Sequence, residues 1–150
     1  MTRRIQLSFP EMNVSCQAAL LHDRAPRTCA AVWNSLPVEG KTVHGRWSGP
    51  EIFICAEEFE DLEQENGIHK AVPGDICYWM CPGGKYASVP ERAVEVLLVY
   101  DTGAALCGPE GLPTFANLFA QVEGDWEPFR LAARATRTVG ARVLRIDALA

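Results

Sequence analysis

The sequence predicts a mostly-β domain, a closed β-barrel of about eight strands with two capping helices. Three observations lead there. Short runs of alternating or β-branched residues recur along the chain, separated by turns rich in Gly and Pro. Only two stretches, one early and one late, carry a helical apolar stripe. Antiparallel strands in this number commonly close on themselves, which removes exposed sheet edges, and two amphipathic helices would then cover the open ends.

Ile5, Leu7 and Phe9 alternate with polar residues as a half-buried strand does, and Val14–Leu21 is its plausible partner across the turn-forming Pro10–Asn13. Asp23 can cap a helix with Pro26 in its first turn. Cys29, Val32, Trp33 and Leu36 then recur at helical spacing, a core stripe that Pro37 ends. Thr42–Trp47 reads as strand, Ser48–Pro50 as turn and Glu51–Ala56 as strand. The segment 57–67 carries six acidic side chains (Glu57, Glu58, Glu60, Asp61, Glu63, Glu65), most simply a solvated loop or short surface helix. Asp75–Met80 is the next strand, followed by a tight connection at Cys81–Gly84. Val94–Tyr100 is a continuous β-branched and aromatic run suited to a central strand. Asp101–Pro113 reads as loop, and Phe115–Val122 fits strand or helix on pattern alone. Asp125 caps a second helix that buries Trp126, Phe129 and Ala133, and Arg142–Ile146 alternates as a closing strand. No internal repeat or boundary interrupts the 150 residues, so one domain spans 1–150.

Composition narrows the function classes. Charged residues form 22% of the chain and hydrophobic ones 48%, and the net charge of -5 argues against nucleic-acid or anionic-membrane partners, which call for a basic face. No apolar run approaches a membrane span or a signal peptide, so a cytoplasmic protein is expected. The six cysteines (Cys16, Cys29, Cys55, Cys77, Cys81, Cys107) form no Cys-x-x-Cys pair, and reduced thiols packed as small apolar groups suit them better than a metal site. No cofactor is expected: the chain lacks a Gly-x-Ser-x-Gly elbow, a phosphate loop and a dinucleotide fingerprint.

The stretch Leu20-Leu-His-Asp-Arg-Ala-Pro-Arg-Thr-Cys29, followed by an apolar helix, resembles the passage from strand to helix in cyclophilins. His44-Gly45-Arg46 lies about where that family carries its groove arginine. Asn117-Leu-Phe-Ala-Gln-Val-Glu-Gly-Asp-Trp126 is similar to the segment that leads into the family's last helix. These pieces occur in the family's order across most of the chain. The groove departs from it: the family's Phe-Met-x-Gln stretch is replaced by Trp47–Phe53, and its later aromatic and histidine positions find no match. Here, and in Gly74–Trp79 followed by Pro82-Gly-Gly-Lys85, the sequence looks like the uncharacterised bacterial and archaeal cyclophilin-like proteins. That resemblance implies the barrel and no particular activity.

Arg46 and Glu51 are the central candidates. An arginine donating to a proline nitrogen weakens amide conjugation and so lowers the barrier to isomerisation. A carboxylate beside it would either neutralise it in an ion pair or serve as an acid, base or cation-binding group. His44, two residues before Arg46, is a candidate general base or a hydrogen-bonded structural residue. Trp47, Phe53, Tyr78 and Trp79 are candidate ligand contacts; alternation lets only one of Tyr78 and Trp79 face a groove. Lys85, behind two glycines, is a candidate lid cation or a solvated loop lysine.

Three functions fit. The first is a protein that binds or processes a small molecule or peptide around Arg46 and Glu51, the second a weak prolyl isomerase using Arg46. The third is a non-catalytic interaction module that meets a partner through its acidic segment or exposed apolar residues. A homo-oligomer is expected only because such assemblies are common.

Overall fold

The computed structural model describes residues 1–150. Strands β1 (Arg4–Phe9) and β2 (Val14–Leu20) form an antiparallel hairpin across a single 3₁₀ turn, which ends at Asn13 in the left-handed region. The period of two buries Ile5, Leu7 and Phe9 as expected. Helix α1 (Pro26–Ser35) starts with Pro26 in its first turn, but Asp23 does not cap it. Glu65, from the acidic segment, does so instead. Its carboxylate accepts from the Arg27 and Thr28 amides at 3.2 and 2.8 Å and from the Thr28 hydroxyl at 2.8 Å. The acidic segment is therefore a pinned loop: Asp61 pairs with Arg92, Glu63 and Glu65 pair with Arg27, and Phe59 is buried. Cys29 and Val32 of α1 are fully buried, while Trp33 is half-buried against the core with the Arg3 guanidinium over its ring.

The remaining elements are β3 (Val38–Lys41), β4 (Val43–His44), β5 (Glu51–Cys55), β6 (Gly67–Ile68), β7 (Lys70–Ala71), β8 (Asp75–Cys81), β9 (Ala93–Val99), β10 (Ala104–Ala105), β11 (Ala116–Glu123), α2 (Glu127–Val139) and β12 (Val143–Leu149). The ambiguous 115–122 region is strand because both of its edges are paired, with β2 and with β8. Helix α2 begins where the Glu127 amide donates to Asp125, and Phe129 stacks on Phe9 with ring centroids 4.7 Å apart. No helix is long and apolar enough to cross a membrane.

The main sheet has ten strands in the order β3-β12-β1-β2-β11-β8-β9-β5-β4, with β6 on β11; β7 and β10 pair separately. This corrects the closed barrel of about eight strands: the protein is mostly β with two helices, but the sheet is open. The reason is local. The edge of β5 not used by β9 is occupied by β4, through Val43 opposite Phe53 and His44 opposite Ile52. Strand β3 therefore approaches β5 without a ladder, and Gly40 permits the approach: a Cβ there would lie 3.3 Å from the Cys55 carbonyl and from Ile54. The expected strand 42–47 is reduced to β4 because the chain leaves the sheet at Gly45.

Both faces of the β5, β8 and β9 part of the sheet are covered. One carries Ile52, Ile54, Ile76, Tyr78, Val96 and Leu98 into the main core, shared with α1, α2, β1 and β2. The opposite face carries Cys77, Trp79, Leu97 and Val99 into a smaller core beneath Leu106 and Leu118. The candidate site lies on this second face.

Candidate functional site: a cleft floored by two carboxylates

Three strands supply the floor. Because β5, β8 and β9 are paired in register, Glu51 lies opposite Val99, Phe53 opposite Leu97, and Glu95 between Cys55 on one side and Trp79 on the other. One face therefore carries Glu51, Phe53, Glu95, Leu97 and Trp79. Two walls rise from it: the segment His44–Ser48 that links β4 to β5, and the loops bearing Ser88, Val89 and Leu106–Pro109. The cleft between them measures about 420 Å³.

The walls are tied together. The Ser48 hydroxyl donates to the Cys107 carbonyl at 3.1 Å and accepts from the Cys107 amide at 2.9 Å, while the Ala105 amide donates to the Ser48 carbonyl. The Trp79 indole is oriented by donating to the Thr114 hydroxyl at 2.9 Å. His44 is held at both ring nitrogens. Nδ1 donates to the Gly45 carbonyl at 2.9 Å, leaving Nε2 to accept from the Tyr100 hydroxyl at 2.6 Å.

Glu51 is 5% exposed, and its Oε2 is buried with no hydrogen-bond partner. Burial pushes its carboxyl up to about 7, with the Ser48 hydroxyl working in the opposite direction. Burial also pushes Glu95 up, to about 8, and the charge of Glu51 adds to that rise. Gly45 makes room for the acid: a Cβ there would stand 2.5 Å from Glu51 Cγ and 2.6 Å from Oε1. Only glycine lets the chain pass so close to this side chain.

Arg46 lines the cleft but forms no ion pair with Glu51; every ion pair in the protein involves other arginines. The two central candidates thus share a cleft without neutralising each other. His44, Trp47, Phe53 and Trp79 line it too. Tyr78 does not. It is buried on the opposite face, and its hydroxyl donates to the Glu60 carbonyl at 2.7 Å. Lys85 also lies outside the lining, its ammonium 5.3 Å from the Tyr86 ring centroid. The structure adds Glu95, Ser48, Cys107 and, through His44, Tyr100. Glu95 had a sequence signal: it is the one charged residue in Val94–Tyr100, two positions before Leu97 and so on the same face. The loop residues had none, because proximity across 40 to 60 positions is a property of the folded chain.

No group of three or more metal-ligating side chains is assembled, and all six cysteines are free thiols. Burial pushes the Cys16 thiol up to about 12 and those of Cys29 and Cys55 up to about 11, which makes poor nucleophiles of them.

The fold defines the class of protein. The chain is similar to McbB in complex with tryptophan, with a TM-score of 0.69 and 16% identity over 95% of this chain; it spans 44% of McbB. It is similar to the hypothetical protein AF2241 from Archaeoglobus fulgidus (TM-score 0.58, 17% identity, 97% of this chain and 94% of that one). It also resembles the Mimivirus cyclophilin (TM-score 0.55, 10% identity, 99% and 89%). These likenesses establish a cyclophilin-like fold. No curated protein matches the sequence. The chain belongs to the family described as Protein of unknown function (DUF3830), whose profile matches residues 7–148.

Proposed function

We propose that the protein binds or processes a small organic molecule in the cleft around Arg46 and Glu51, one with an apolar body of aromatic size. The observation that carries this reading is the Glu51 carboxyl, buried at the floor of an open cleft with Oε2 unpartnered. Leaving such a group without a partner costs about 1–3 kcal/mol, which a ligand that donates to it recovers on binding. Phe53, Leu97 and Trp79 offer apolar surface beside it, and Arg46, free of any carboxylate, offers a complementary site for an anionic group. The likeness to McbB, whose structure contains tryptophan, supports a ligand of this size and mixed polarity. His44 and Trp47 complete the set of proposed contacts, His44 as a base whose Nε2 already accepts from the Tyr100 hydroxyl.

The test is calorimetric titration of aromatic amines, aromatic carboxylates and amino acids against wild type, Arg46→Ala and Glu51→Ala. Binding that weakens at least tenfold in either variant supports the assignment. A ligand that binds all three proteins equally sinks it.

Prolyl isomerisation is the second reading, because an unpaired Arg46 on an apolar cleft is what that chemistry needs. It is tested by a protease-free assay on short Xaa-Pro peptides. Catalysis that disappears in Arg46→Ala would make it primary, and no rate above background would retire it.

A further inference from the structure

The two carboxylates of the cleft are not partnered by any cation of the protein. No ion pair reaches Glu51 or Glu95, although Arg46 lines the same cleft. Structural carboxylates this far from water are ordinarily matched by an arginine or lysine, as Glu65 is by Arg27. Here two acids on neighbouring strands face one space, and the more buried of them carries an orphaned oxygen. Beside them stand aromatic rings: Trp79 is the register partner of Glu95, and Phe53 lies one position along the Glu51 face. Carboxylates with aromatic walls form a receptor for an organic cation, which is attracted by the charge and by the ring faces together.

We propose that Glu51 is the receptor for the ammonium group of a primary amine whose aromatic or aliphatic body lies against Phe53 and Trp79, with Glu95, four register positions away on the same floor, adding to the negative charge of the cleft. This rests on the cleft being the ligand site, and it specifies the class of ligand. The ammonium takes the place of a proton. With both carboxyls protonated, binding RNH₃⁺ expels one proton to solvent and leaves one carboxylate paired with the cation. No other protein cation competes for that position. The groups that face Glu51 from each packed element are His44, Arg46 and Ser48 on the adjoining wall, Cys55 on its own strand and Glu95 on β9. Cys77 and Asp75 face it from β8, and Cys107 from the loop above. Asp75 is already satisfied by the Val72 amide and the Gln121 side chain. Burial raises the Glu51 and Glu95 carboxyls, to about 7 and about 8.

The experiment is calorimetric titration of the full chain with phenethylamine, 2-phenylethanol and 3-phenylpropionate, one body with a cationic, a neutral and an anionic head. It is run in buffers of different ionisation enthalpy from about pH 5.5 to 8. Phenethylamine is expected to bind at least tenfold more tightly than 2-phenylethanol near neutral pH. Below that range its affinity should fall by about tenfold per pH unit, with release of about one proton per ligand. Glu51→Gln should abolish the preference for the amine, and Glu95→Gln should weaken it, while binding of 2-phenylethanol reports that each variant retains the cleft. If 2-phenylethanol or 3-phenylpropionate binds and phenethylamine binds no better, or binds without proton release, the receptor assignment is overturned and the cleft remains the ligand site. If none of the three binds, the ligand-site reading falls with it.

Discussion

Replacing Glu51 with glutamine keeps the shape of the side chain and removes its ionisation, so its effect on stability is expected to depend on pH. The folded carboxyl titrates at about 7 against an ordinary 4.5. The folded protein therefore holds a proton that the unfolded chain has lost across this window, and stability falls as pH rises through it. Below about 4.5 the acid costs nothing by ionisation; above about 7 the full penalty is present. At about 1.4 kcal/mol per pKa unit, the displacement amounts to about 3 kcal/mol. Glu51 is almost wholly buried, so little of this is screened by solvent. Urea denaturation of Glu95→Gln and of Glu51→Gln/Glu95→Gln at a series of pH values from about 4.5 to 8 isolates the effect, since Glu95, whose rise depends partly on the charge of Glu51, is then absent from both proteins. The protein that also lacks Glu51 should gain about 3 kcal/mol on the one that keeps it between the two ends of that range. A difference between the two proteins that stays constant with pH would refute the account, because it would mean that Glu51 titrates alike in the folded and unfolded chains.

Gly45→Ala should leave the fold in place and weaken ligand binding at the cleft, since the new Cβ would fall 2.5 Å from Glu51 Cγ and displace that side chain; circular dichroism with the calorimetric titration checks both halves. Glu65→Ala should cost about 1–2 kcal/mol in denaturant melts, through the loss of a cap that serves two amides and a hydroxyl of α1. Burial opposes ionisation of Glu65, but the bonds from Thr28 outweigh it and hold the carboxyl below its ordinary range, so the stabilisation should disappear as pH falls through the acid range. Tyr100→Phe deprives His44 Nε2 of its partner and should cost about 1 kcal/mol in denaturant melts.

Periodicity made most of the elements legible. The alternation of Ile5, Leu7 and Phe9, the stripe through Cys29 and Val32, and the β-branched run at Val94–Tyr100 each state locally which face must be buried, and burial is what the fold satisfies. Arg46 is legible for a different reason, the resemblance of His44–Arg46 to the stretch that carries the groove arginine in cyclophilins, and Glu51 as the carboxylate across the short turn from it. Their relation is not. Close in sequence, on either side of a short turn, they read as a potential ion pair, yet the turn at Gly45–Pro50 carries Arg46 along the wall and sends Glu51 to the floor. Likewise the choice between Tyr78 and Trp79 could be stated as a dichotomy by alternation, but which face becomes core depended on where α1 and α2 pack. Capping by Glu65 in place of Asp23, the placing of Glu95 on the same cleft floor as Glu51, and the open sheet all depend on contacts between residues far apart in the chain. Local sequence determines which residues are able to be buried or charged in a strand or helix. Only the tertiary structure decides which of them share a low-dielectric space, because that depends on strand order and register, and it is this proximity that turns two ordinary glutamates into an unpartnered pair at the floor of a cleft.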